Sequence, residues 1–124
     1  MSGYREHIET IVDDIGCPKH IKGYEAIIES VEYQLLNPGA NIMDTYSEVA
    51  SKFDKTSAQI ERNIRHAIES TLMTCDYNNL KKYFGNNLPD TYHLTNKQFL
   101  VTVAIAVKRL KRKQEETNNV NNGR

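Results

Sequence analysis

An all-α domain of six helices is what this chain predicts, on three observations. Apolar residues recur three and four positions apart along most of its length, the mark of helices that bury one face. Two capping boxes, Thr56 with Gln59 and Thr95 with Gln98, mark helix starts, because each pairs a hydroxyl and an amide with backbone N–H groups that a helix leaves without partners. No strand signal and no internal repeat competes with this pattern. At 124 residues the chain makes one domain with one modest core.

Taken in order, Ile8, Ile11, Val12 and Ile15 place the first helix over Arg5 to Ile15, and Gly16 followed by Pro18 ends it. Tyr24, Ile27, Ile28, Val31, Leu35 and Leu36 give a second, longer helix over Ile21 to Leu36, with Lys22 and Gly23 near its start and the turn residues Asn37, Pro38 and Gly39 at its end. A third helix starts near Asn41 or Ile42 and reaches about Phe53, burying Ile42, Tyr46, Val49, Ala50 and Phe53. Asp54 and Lys55 turn the chain into the fourth, capped by Thr56 and running to about Met73. Asp76 caps a short fifth helix that stops at Gly85, and residues 86 to 94, with Pro89, form a loop. The sixth helix opens at Thr95 and buries Phe99, Leu100, Val103, Ala104, Val107 and Leu110 before its basic end. The domain therefore occupies residues 1–113, and residues 114–124, polar with almost nothing apolar, read as a disordered tail.

Sixteen basic and sixteen acidic residues cancel, so global charge does not drive the protein to nucleic acid or membrane. The charge is nevertheless polarised: Glu6, Glu9, Asp13 and Asp14 crowd the first helix, and Lys108, Arg109, Lys111, Arg112 and Lys113 the last. Cys17 and Cys75 have no Cys or His at a metal-ligand spacing, so no zinc site, cofactor or disulfide framework is indicated, and they read as inert reduced thiols. The apolar run Phe99 to Val107 is too short to span a membrane and no leader precedes it, which predicts a cytoplasmic protein. His20 and His66 lack a nucleophile or an orienting carboxylate, so an enzyme is not expected.

A short helix, a tight turn and a second helix with an arginine-bearing face, over about residues 43–73, have the pattern of a helix-turn-helix. On the fourth helix Ile60, Ile64, Ala67 and Ile68 share one side and Arg62, Arg65, His66 and Glu69 the other. Periodicity leaves two readings of that polar side. It is a solvated surface with an intrahelical Glu61–Arg65 pair, or it reads DNA: a guanidinium donates twice to guanine, and a carboxylate accepts from the cytosine amino group. The basic run Lys108 to Lys113 likewise either grips phosphates or solubilises a helix end.

Four blocks, DIGCPKHIKGY (14–24), IERNIRHAIE (60–69), YFG (83–85) and LTNKQF (94–99), carry a resemblance. The chain resembles the C-terminal DNA-binding effector domain of the sporulation master response regulator of endospore-forming bacteria, from about Ile8 to Leu110. The resemblance implies six helices, a double-stranded DNA operator box of TGTCGAA type, and tandem-bound second copies. It carries base reading onto Glu61, Arg62, Arg65 and His66. Lys52, Lys55, Ser57, Gln59, Lys108 and Arg109 are the candidates for DNA-backbone contacts.

Departures from the family pattern are Ala58 and Gln59, where a serine and an arginine are typical, Asn63 in place of a small apolar residue, and Leu72 to Cys75 in place of Trp-Ser-Arg-Gly. The last lies near the surface that engages the housekeeping sigma factor, so DNA binding is expected more firmly than activation. Family members carry a receiver domain before the effector; here Met1 stands just ahead of the first helix, which favours a stand-alone effector. The alternative is a protein-interaction module or competitor that keeps the fold and modulates the regulator or sigma factor.

Overall fold

A computed structural model describes residues 3–85 and 93–122. Most of the loop expected over 86–94 therefore lies outside the described residues. The six helices are α1 (Arg5–Ile15), α2 (Lys22–Leu36), α3 (Ile42–Phe53), α4 (Ser57–Thr74), α5 (Tyr77–Phe84) and α6 (Asn96–Asn122), with no strand among the described residues.

The ends are set by local chemistry. Gly16 closes α1 in the left-handed region, φ 103°, where its N–H reaches the carbonyls of Val12 and Asp13; a side chain there would be strained. Asn41 Oδ1 caps α3 by accepting from the Asp44 N–H at 2.8 Å, and the Asp76 carboxylate caps α5 by accepting from the Asn78 N–H at 2.8 Å. Both capping boxes form. The Thr95 N–H donates to Gln98 Oε1 at 2.9 Å while the Gln98 N–H donates to Thr95 Oγ1 at 3.1 Å.

α2 and α6 are the central helices: α2 packs mainly on α4, and α6 lies along α1 and α2. Between them sit Ile8, Ile11 and Val12 of α1, Ile27 and Val31 of α2, Ile60 and Ile64 of α4, and Phe99, Leu100 and Val103 of α6, all essentially without solvent contact. α5 closes one end through Leu80 and Phe84, whose ring lies 5.7 Å from that of Phe99. Burial pushes the free thiols of Cys17 and Cys75 above the ordinary cysteine range.

Two expectations need correction. Leu36, assigned to the apolar stripe of α2, is 54% exposed, because the helix overruns the edge of the core by its last residue. The stretch from 114, read as a disordered tail, continues α6 through Asn122. A helix already nucleated on its buried half extends at little cost per residue, and Gln114, Glu115 and Glu116 are good helix formers. Gln114 Oε1 also lies 2.7 Å from His7 Nε2 on α1.

An ion cluster ties α1, α2 and α3 together. Glu29, mostly buried, accepts from Arg5 Nη1 at 2.9 Å and from Lys52 Nζ at 3.0 Å. Burial raises the Glu29 carboxyl, but the hydrogen bonds from Lys52 and Arg5 outweigh it and hold the group below the usual glutamate value. A depressed folded-state pKa stabilises the fold above the unfolded pKa and loses that stabilisation as pH falls through the folded value. Urea midpoints measured from about pH 6 to about pH 3 are expected to fall, and to fall less in Glu29→Gln.

Candidate nucleic-acid interface

The candidate interface is built on α4. Its start is rigid because Thr56 Oγ1 accepts from the Gln59 N–H at 3.1 Å and Gln59 Oε1 accepts from the Thr56 N–H at 2.8 Å. Asp54 makes the turn before it in the left-handed region, φ 54°, a conformation that aspartate tolerates better than most residues. Ile60, Ile64, Ala67, Ile68 and Thr71 are buried, which leaves Ala58, Gln59, Arg62, Arg65, His66 and Glu69 facing solvent. The polar face thus forms one stripe about three turns long.

Within that stripe the two arginines differ. Arg65 is bracketed: Nη1 lies 2.5 Å from Glu61 Oε1, and Nε lies 3.9 Å from Glu69 Oε1. The guanidinium of Arg62 is exposed and engages no carboxylate or hydrogen-bond partner among the described residues. The two readings left open by periodicity therefore coexist. The intrahelical pair is formed, yet it is exposed and worth only about 0.3–0.5 kcal/mol, while a second cation one turn away stands ready to donate. His66 is likewise exposed and unpartnered among the described residues.

The surrounding candidates fall into three groups. Lys55 is half-buried beside the start of α4, and Ser57 Oγ lies 3.4 Å from Ser47 Oγ; both sit at the N-terminus of α4, the helix end that favours anions. Gln59 spends Oε1 on the cap, which leaves its amide NH2 to donate. Lys52 faces α2 instead, held by Glu29, and that bond raises its pKa above the ordinary lysine value. Lys108 and Arg109 are not brought to α4. Asn96, at the start of α6, touches α4, and Lys108 is about 18 Å further along the axis at 1.5 Å per residue.

Asn96 and Tyr46 were not singled out from the sequence. Asn96 is 8% exposed, and its Nδ2 donates to Tyr46 Oη on α3 at 2.9 Å and to the Glu61 main-chain carbonyl on α4 at 3.0 Å. One amide thus locks both helices of the helix-turn-helix to α6. The available signal was an amide residue immediately inside a capped helix start. Asn96→Ala is expected to lower stability by about 1–2 kcal/mol in urea titrations. Asn96→Asp should restore only part of the loss, because a carboxylate can accept from the Tyr46 hydroxyl but has no N–H for the Glu61 carbonyl.

Among the described residues no cluster of His, Cys, Asp or Glu could hold a metal ion, and no helix is long and apolar enough to cross a membrane.

A family model described as "Sporulation initiation factor Spo0A C terminal" matches residues 8–107, from α1 well into α6. The chain belongs to this family of DNA-binding domains of a sporulation transcription regulator.

Proposed function

We propose that this member of the Spo0A C-terminal family reads a TGTCGAA-like duplex through α4 laid in the major groove. The observation that carries the reading is the free guanidinium of Arg62 at the middle of a capped, otherwise packed helix. Arg62 donates in bidentate fashion to a guanine. Arg65 exchanges Glu61 for a base or phosphate, and Glu61, once released, accepts from a cytosine amino group and repels misplaced phosphate. His66 contacts a phosphate or a base edge. Lys55, Ser57 and the Gln59 amide hold the backbone near the helix start. Lys52 contributes only where a phosphate displaces Glu29, and Lys108 and Arg109 contribute only through a second stretch of DNA or a second copy. The chain acts as a transcription regulator in the cytoplasm, not as an enzyme, and tandem boxes seat a second copy.

Selection of bound duplexes from a random pool tests this. Enrichment of a TGTCGAA-like core supports it, and a pool that stays random overturns it. A protein-interaction reading is favoured by one observation: Met73, at the far end of the same α4 face, is 85% exposed. That reading, which includes contact with a sigma factor, gains if a partner protein binds Met73 while no duplex is enriched.

A further inference from the structure

A second surface, lined by none of the polar residues of α4, lies at the C-terminal end of α1. There α1, α5 and α6 enclose an open groove of about 1090 Å³. Ile11, Ala106 and Leu110 form an apolar floor, and Arg109, Arg112 and Lys113 line the α6 wall. Across from them stand Asp13 and Asp14 of α1, with Lys82 and Tyr83 of α5.

The two aspartates are already engaged. Asp13 accepts from Tyr24 Oη at 2.7 Å and pairs with Lys19 at 3.2 Å. Asp14 accepts from Tyr83 Oη at 2.5 Å and from Lys82 Nζ at 3.3 Å, and the Tyr83 hydrogen bond, with help from Lys82, holds its carboxyl below the usual aspartate value. By contrast Arg109, Arg112 and Lys113 have no ion pair or hydrogen bond among the described residues, and the only other carboxylate on the lining is Glu116. The α6 wall is therefore an uncompensated cationic edge beside an apolar floor.

We infer that this groove docks an acidic, amphipathic peptide segment of a partner protein, its apolar side chains on Ala106 and Leu110 and its carboxylates on Arg109, Arg112 and Lys113. The space is larger than a typical small-molecule pocket and open along its length, which suits a helix or strand laid between helices. Carboxylates confined to one edge of the peptide meet the arginines in bidentate geometry and avoid Asp13 and Asp14. A phosphodiester chain, charged along its whole length and without an apolar side, would meet those aspartates and leave the floor uncovered. The inference does not depend on the DNA reading of α4.

A fluorescein-labelled peptide of about 12 residues, with glutamates on one helical face and leucines on the other, is titrated against the full chain by anisotropy, with amide NMR shifts mapped in parallel. Saturable binding is expected, with shifts at Thr10, Ala106 and Leu110. Arg112→Glu combined with Lys113→Glu should weaken it about tenfold or more, the loss of one or two charge-assisted contacts, with helicity retained by circular dichroism. Arg112→Gln should give a smaller loss in the same direction. The inference is overturned by absence of saturation, by shifts elsewhere, by equal binding of a peptide with lysines in place of glutamates, by duplex DNA displacing the peptide from those residues, or by self-association that produces the shifts without peptide.

Discussion

Replacing Gly23 with alanine is expected to lower unfolding stability by about 3 kcal/mol and to weaken DNA binding with it. In an isolated helix the same change would help, since alanine is favoured over glycine by about 1 kcal/mol. Here a Cβ on Gly23 would lie 2.1 Å from the Asn63 carbonyl oxygen and 2.5 Å from Ala67 Cβ, so α2 and α4 approach each other backbone to backbone. The nearer obstacle is main chain and cannot rotate away, and α4 must move. A decrease of roughly 10 °C in Tm is the calorimetric equivalent. Ala67→Gly in the same chain should not restore stability, because it removes only the farther obstacle. A Gly23→Ala protein as stable as the parent would show that α2 and α4 do not pack this closely. Because Asn63 and Ala67 lie on α4, the displacement also moves Arg62 and Arg65 relative to the rest of the domain.

Arg62→Ala is expected to reduce affinity for the box duplex by about 1–3 kcal/mol and to relax preference at one base pair. The magnitude follows from a free guanidinium: no folded-state partner has to be given up before it donates to a base, so the loss of both hydrogen bonds appears in the affinity. Arg65→Ala should cost less net, since the parent must first give up the Glu61 pair. Neither change should alter the unfolding midpoint appreciably, because both side chains are exposed and away from the core. Lys55→Ala should behave differently again, weakening box and scrambled duplexes alike and reducing the salt slope by about 1. Duplex titrations at two or more salt concentrations separate these outcomes.

Most of the helices were legible because their signals are local. The apolar spacing from Ile8 to Ile15, the glycine at 16 and the paired caps at 56 and 95 each act within a turn or two, and α1 and α3 fall where those signals put them. What escaped is what depends on residues distant in sequence. Lys52 reads as a free cation beside α4, but Glu29, 23 positions earlier, holds it. Asn96 reads as part of a capped start, although its amide reaches Glu61 across 35 positions. Lys108 and Arg109 share a helix with Asn96, and only the direction in which α6 runs shows that they lie about 18 Å or more along its axis from the point where Asn96 meets α4. The continuation of α6 past 113 was hidden for the opposite reason: composition marks where packing stops, whereas a helix that is already nucleated extends beyond it. The amphipathic division of α4, by contrast, was legible in full, with Ile60, Ile64, Ala67 and Ile68 inward and Arg62, Arg65, His66 and Glu69 outward.

Reading of DNA by the polar face of α4 is tested most directly by titrating a TGTCGAA duplex and a scrambled duplex of the same composition at one fixed salt concentration, with the parent chain and with Arg62→Ala. The parent is expected to prefer the box by about a hundredfold or more, since each lost base contact costs roughly 1–3 kcal/mol, and Arg62→Ala should close a large part of that gap. Equal affinity of the parent for the two duplexes, or a preference that Arg62→Ala leaves unchanged, would contradict it.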